Sequence, residues 1–346
     1  MKKLILFTFT ITTIFAGELD FNHDGWDREA YYYKPSCLDD AGEDFEPIPL
    51  VFMIHGLGGV GFDNYNFSAL AEDSCFIVLF PSGMFNTWNA GPGMPYSHDI
   101  DDNSYFDALI DTMDIMYPID TNRVYLTGHS MGGFMASHMN CTSTSFTAYG
   151  GSGGGIASGY TIGNGYEDLC SIENGTYPNP MIISHGMDDG TVPYEWAFFN
   201  LYHFLLLNRC DGITPWPYDY DWPIFNDTGD YWGDPENDLE EIIDYVLSIA
   251  DTTSYYPGLL ERYQWSNGCL GGQSALEAIM LPNAGHAWHQ TWNSQIDSNL
   301  EHWNFLKQFS KAEMGPILDS LSLPVSEILD EDYYINGETT TIGILA

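Results

Sequence analysis

The pentapeptide Gly128-His129-Ser130-Met131-Gly132 constrains this chain more than any other stretch. It directly follows an apolar run at residues 124–127 and precedes a helical pattern that begins at Gly132. The spacing therefore predicts a serine held on a sharp strand-to-helix turn. Glycines on either side permit the strained backbone such a turn requires, and the helix that follows points the positive end of its dipole at the serine hydroxyl.

The rest of the chain supplies the context that this turn needs. Short apolar runs at 50–54, 76–80, 124–127, 146–149, 181–184 and 276–281 read as buried strands. Helical spacing lies between them: Phe106, Leu109, Ile110 and Met113 in one stretch, Trp196, Phe199, Tyr202 and Leu206 in another. Strand and helix alternate as a parallel sheet flanked by helices requires. Asp20, Asn22, Asp24 and Gly25 imitate the first half of a calcium loop, but Tyr31 replaces the glutamate needed at its twelfth position. Asp24-Gly25 reads instead as a hairpin turn. Residues 211–258 interrupt the alternation with Trp, Tyr, Asp, Pro and Gly around one amphipathic stretch, Leu239 to Leu247, and are expected to form a lid-like insertion. Residues 315–346 lose periodicity and read as a tail.

A serine hydroxyl is a weak nucleophile until a neutral imidazole takes its proton. His286, in Asn283-Ala284-Gly285-His286, follows the last strand and fits that task, so activity is expected to fall on acidification. The acid that orients it should lie between the two in chain order, and the turn His185-Gly186-Met187-Asp188-Asp189 offers either aspartate. His55-Gly56-Leu57-Gly58-Gly59 follows another buried strand and suits an oxyanion hole, with the backbone N–H groups of Leu57 and Met131 as donors. It lacks the Lys-Ser/Thr ending of a phosphate loop. Trp88 and Trp288 are candidate stacking surfaces for an aromatic substrate.

Composition narrows the setting. Residues 1–17 carry Lys2 and Lys3, an apolar stretch and small residues at the end, the layout of a cleaved leader, so the chain is expected to be exported. With 49 Asp and Glu against 9 Lys and Arg, the formal charge of -40 excludes nucleic acid and anionic membranes as partners and suggests a saline medium. Six cysteines in an exported chain fit three disulfides, and with no CxxC pair a structural metal is not expected.

These segments together resemble the polyhydroxybutyrate depolymerase and feruloyl esterase group of carbohydrate esterase family 1, within the α/β-hydrolase superfamily. The opening Asp24-Gly25-Trp26-Asp27-Arg28, the turn His55 to Gly59, the helix start Asp101-Asp102-Asn103-Ser104-Tyr105 and the stretches His185 to Tyr194 and Gly285 to Trp288 carry the likeness. The resemblance implies an α/β-hydrolase fold over residues 18–314 and a catalytic triad of Ser130, Asp189 and His286. It also implies a bridge between Cys210 and Cys269, leaving Cys37, Cys75, Cys141 and Cys170 to pair in one of three ways. It implies an enzyme acting on carboxylic esters, and the triad mechanism needs no metal or organic cofactor; a monomer is expected. Feruloyl-type aromatic esters and polyesters (polyhydroxyalkanoate, polyethylene terephthalate) are the expected substrates, with acetylxylan, or binding without catalysis, as alternatives.

Overall fold

Each of the six apolar runs overlaps a strand, and those six strands form the parallel centre of one ten-stranded sheet. The computed structural model describes residues 17–39, 42, 45–61, 67–157, 170, 179–208, 210–213, 224–225, 231–232, 243–267, 269, 275–290 and 296–312. The strands are β1 (Gly17–His23), β2 (Trp26–Tyr33), β3 (Ile48–Ile54), β4 (Ile77–Pro81), β5 (Ile119–His129), β6 (Ala148–Ser152), β7 (Met181–Gly186), β8 (Ile224–Phe225), β9 (Tyr231–Trp232), β10 (Thr252–Tyr256), β11 (Leu260–Trp265) and β12 (Leu276–Leu281). In the main sheet they run β1-β2-β4-β3-β5-β6-β7-β12-β11-β10, while β8 and β9 pair separately. The strands from β4 to β12 in that order are parallel to their neighbours, and an antiparallel hairpin closes each edge. Asp24 and Gly25 make the β1–β2 turn, both with positive φ, as a two-residue hairpin requires.

A parallel sheet must be covered on both faces, and the alternation of side chains along β3 shows how this is done. Leu50, Phe52 and Ile54 face one core with helices α2 (Asp102–Met116), α3 (Met131–Thr142) and α4 (Glu195–Leu207). Val51 and Met53 face the other, with α1 (Phe67–Ser74) and α6 (Ser298–Leu306). Phe52 sits edge-on to Phe106 and Phe146, with ring centroids 5.6 and 5.2 Å away. Burying such a ring contributes about 1.5–3 kcal/mol. Helix α2 starts where Asp101 accepts the Ser104 N–H at 3.0 Å, a cap worth about 1 kcal/mol.

One polar residue spans the second core. His302 on α6 is fully buried, with Nδ1 2.7 Å from Thr127 Oγ1 on β5 and Nε2 3.0 Å from Ser184 Oγ on β7. Burial pushes its pKa down to about 3, so the folded ring stays neutral where the unfolded ring, with a value of about 6.5, takes a proton. Its contribution to stability is complete above that unfolded value and is lost as pH falls from about 6.5 towards 3. In urea titrations across this window, His302→Gln is expected to flatten the pH slope by up to about 1.4 kcal/mol per pH unit, one proton's worth. An unchanged slope would place the acid sensitivity elsewhere.

Part of the expected insertion belongs to the main sheet. Residues 243–248 form a helix, α5, that overlaps the amphipathic stretch. However, β10 falls inside the expected range 211–258 and pairs with β11 as the edge hairpin of the main sheet. Residues 214–223, 226–230 and 233–242 lie outside the described residues, as do 1–16, where a leader is expected, and 313–346, where a tail is expected. Three disulfides form, Cys37–Cys75, Cys141–Cys170 and Cys210–Cys269, and the last closes a stretch that includes β10 and β11. Among the described residues no helix is long and apolar enough to cross a membrane.

Candidate active site

The carboxyl ends of β3, β5, β7 and β12 bring four loops together. Between β5 and α3, Ser130 adopts φ 55° and ψ -119°, a left-handed conformation that costs a non-glycine residue about 1–3 kcal/mol. Close packing holds it there. A methyl group on Gly128 would lie 2.5 Å from Ile54 Cγ1, and one on Gly132 would lie 2.5 Å from the Ile54 carbonyl oxygen, so only glycine lets the turn sit against β3. The Ser130 N–H donates to the Ser152 carbonyl at 2.8 Å, fixing the elbow to the end of β6.

His286 and Asp189 meet directly. The imidazole Nδ1 lies 2.6 Å from Asp189 Oδ2, and the two loops are laced by backbone bonds from Met187 N–H to Leu281 O (2.9 Å) and Asp188 N–H to Ala284 O (2.9 Å). Asp189 is buried, whereas Asp188 is exposed, so only one of the two aspartates faces the histidine. Asp189 Oδ1 accepts the N–H groups of Thr191 (2.8 Å) and Val192 (2.9 Å). Burial alone would raise this carboxyl's pKa. Hydrogen bonds from His185, His286, Val192 and Thr191 outweigh burial and hold the carboxyl well below the carboxylate range.

His185 is a site residue that sequence reading did not single out. Its Nε2 lies 2.9 Å from the Val192 carbonyl and 3.3 Å from Asp189 Oδ2. Both neighbours are acceptors, so this nitrogen carries the proton, and the carboxylate receives imidazoles from two sides. The i,i+4 spacing of His185 and Asp189 was the available sign. His129 completes the cluster, with its ring centroid 4.8 Å from that of His286 and its pKa pushed down to about 3, first by burial.

The Ser152-Gly153 turn touches both parts of the site: Ser152 O accepts the Ser130 N–H, and Gly153 borders His286. A methyl group on Gly153 would lie 3.3 Å from His286 Nδ1. No hydrogen bond joins the Ser130 hydroxyl to His286 among the described residues, and such bonds often tighten only once substrate is bound. On the other flank, a methyl group on Gly56 would lie 3.1 Å from Ser130 Cβ, so the 56–59 turn adjoins the hydroxyl. The N–H groups of Leu57 and Met131 donate to no described acceptor, while their neighbour Gly58 donates to Asn86 O at 2.8 Å.

The two candidate stacking tryptophans are structural. Trp88 is 0% exposed, packs on His55 with centroids 4.7 Å apart and donates from Nε1 to the His55 carbonyl at 2.8 Å. Trp288 is 3% exposed and donates to Asn299 Oδ1 at 2.7 Å. Each indole is fixed by its own hydrogen bond in a core, so neither offers a face to substrate. A cleft of about 490 Å³ instead opens beside His286, between the β10–β11 turn at Gly258-Leu259 and the 282–289 loop. Among the described residues the possible metal-ligand sets are Cys141, Cys170 and His203, whose cysteines are bonded to each other, and Glu18, Asp20 and Glu29, of which the first two are exposed and Glu29 half-buried. Neither set includes a residue of the histidine–aspartate cluster.

A mostly parallel sheet with a strained serine elbow and a histidine–aspartate pair at its carboxyl edge defines a class of hydrolase. The chain belongs to the alpha/beta hydrolase family, whose sequence pattern it matches over residues 51–295. Among curated proteins it is 28% identical over 178 residues to a bifunctional acetylxylan esterase/xylanase of Neocallimastix patriciarum, covering 49% of this chain and 23% of that protein. Acetylxylan esterase A of Aspergillus ficuum is 29% identical over 156 residues, 43% of this chain and 48% of its own length. A probable feruloyl esterase C of Aspergillus terreus is 27% identical over 173 residues, 47% and 57% respectively. The chain thus spans from about a quarter to a little over half of these relatives. Among solved structures, an acetyl xylan esterase from Aspergillus awamori shares the fold with a TM-score of 0.52 at 19% identity, covering 78% of this chain and 94% of that one.

Proposed function

We propose that this chain is a secreted serine esterase that removes acyl groups from a neutral plant polysaccharide, with acetyl and feruloyl esters of xylan as its substrate class. The observation that carries this reading is the 2.6 Å bond between His286 Nδ1 and Asp189 Oδ2 beside the Ser130 elbow. That bond keeps the proton on Nδ1 and leaves Nε2 bare to act as base. In the first step Ser130 Oγ bonds to the acyl carbon while its proton passes to His286 Nε2. The carbonyl oxygen becomes an anion held by the N–H groups of Leu57 and Met131, where losing one donor costs about 2.7–4 kcal/mol. The intermediate collapses, the C–O bond to the alcohol breaks, and His286 protonates the departing oxygen. Water then repeats the sequence and releases the acid.

The names of the three similar proteins support acetyl or feruloyl esters over synthetic polyesters. The burial of Trp88 and Trp288 removes them as stacking surfaces for feruloyl ester and aromatic polyester alike. Feruloyl groups remain within the class because the cleft beside His286 has the volume typical of small-molecule sites. Three disulfides fit export to an oxidising medium.

A panel of acetylated xylan, methyl ferulate, hydroxybutyrate oligomers and bis(hydroxyethyl) terephthalate tests the substrate class. Turnover of one of the first two is expected to exceed that of the polyester models at least tenfold. Fluorophosphonate labelling separates the failures: no labelling removes the serine mechanism, whereas labelling with preferred polyester cleavage removes only the substrate assignment.

A further inference from the structure

We propose that Trp26 and Phe85 form an aromatic shelf beside the oxyanion loop that binds the pyranose chain carrying the scissile ester, a polysaccharide subsite that rests on the esterase reading above. Large aromatic side chains are rarely left in water, yet Phe85 is 66% and Trp26 39% exposed. Their rings meet edge to face with centroids 5.7 Å apart, and His98 stands 6.1 Å beyond Phe85.

The backbone holds the Phe85 ring outward against its own preference. Phe85 and Asn86 have φ 55° and 60°, two successive non-glycine residues in the left-handed region. Strain of this kind persists only where surrounding contacts over-determine it. Here they do: Gly58 N–H donates to Asn86 O (2.8 Å), Asn86 Nδ2 to Gly59 O (3.1 Å), Gly83 N–H to His55 Nε2 (2.9 Å) and Trp88 Nε1 to His55 O (2.8 Å). All four bonds tie the 83–88 loop to the 55–59 turn, whose Gly56 adjoins Ser130. The buried Trp88 is thus the anchor, and Phe85, three residues earlier, is the ring presented to substrate.

The polar surroundings select the occupant. Exposed Asp24 and Asp27 flank Trp26, and exposed Asp99 follows His98. With a formal charge of -40, the molecule repels an anionic polymer. A neutral pyranose chain brings flat C–H faces for the rings and hydroxyl donors for the carboxylates. An aromatic polyester brings the faces but no donors, and would leave carboxylates desolvated and unpaired.

The test uses Ser130→Ala protein, which binds without turnover, titrated calorimetrically with soluble xylan. Adding Trp26→Ala and Phe85→Asn is expected to weaken binding about tenfold or more. Asparagine tolerates the left-handed backbone, so the loop persists, and an unchanged Tm checks the fold. Phe85→Tyr, which keeps the ring, is expected to bind within about twofold of the parent. Undiminished affinity in the Trp26→Ala/Phe85→Asn protein, an equal loss in Phe85→Tyr, or binding of terephthalate oligoesters in place of xylan would each overturn the shelf. Because binding is read without catalysis, absent fluorophosphonate labelling of the native chain would remove the esterase reading and leave this result standing.

Discussion

Replacing Ser130 with alanine is expected to lower kcat on an aryl ester by about 10⁴- to 10⁶-fold, as when the nucleophile of such a triad is removed. The Tm should stay within about 2 °C, because alanine must adopt the same φ of 55° and loses no described hydrogen bond of the serine hydroxyl. Ser130→Gly should be as inactive but more stable, since glycine takes that backbone without strain. Thermal melts of the two variants beside their kinetics check both halves. If Ser130→Ala kept more than a few per cent of activity, the nucleophile would lie elsewhere.

Asp189→Asn is expected to lower kcat by about 10⁴-fold with little change in KM. The carboxylate takes four donors: the N–H groups of Thr191 and Val192 on Oδ1, and the imidazoles of His286 and His185 on Oδ2. An asparagine has one acceptor oxygen. If that oxygen stays with the two backbone N–H groups, its NH₂ faces His286 Nδ1, which must then accept. The proton moves to Nε2, and the base can no longer take the serine proton. His185 would meanwhile point a donor at a donor, so some loss of stability should accompany the loss of rate. Stopped-flow or steady-state rates, together with imidazole ¹⁵N shifts, read the tautomer directly. An Asp189→Asn enzyme with near-native kcat would show that the bond to His286 has no catalytic role.

Much of this site was legible because it depends on local rules. A serine between glycines, directly after a buried strand, specifies its own elbow, and the glycines' crowding against Ile54 is the physical form of that rule. The choice between Asp188 and Asp189 was not legible from spacing. It is made by the turn, which buries one side chain to receive the Thr191 and Val192 N–H groups and leaves the other in solvent. Which ring of the 85–88 loop is exposed was not legible either: Phe85 is exposed and Trp88 buried, and a non-glycine residue gives no sign of the positive φ at Phe85 and Asn86.

Two parts of the sheet were hidden by composition. Strand β6 continues through Gly150 and Gly151, which carry no apolar signal because a methyl group on Gly150 would lie 2.6 Å from His302 Nδ1. Strand β10 lies at an edge and is exposed at four of its five positions, so it shows none of the alternation that marks a half-buried strand. With β10 unmarked, the expected insertion runs through it to residue 258, although that strand belongs to the main sheet.

The covalent tie between Cys210 and Cys269 makes the intervening stretch a closed ring, with its ends fixed whatever lies between them. The entropy of such a closure grows only with the logarithm of its length, so doubling the enclosed chain costs about 0.6 kcal/mol. The ring also encloses β10 and β11, strands of the main sheet, so only the stretch between Cys210 and β10 can change in length with little penalty to that sheet. Diversification of specificity among related enzymes is then expected to concentrate between Cys210 and β10, while the sheet strands, β10 and β11 included, change slowly.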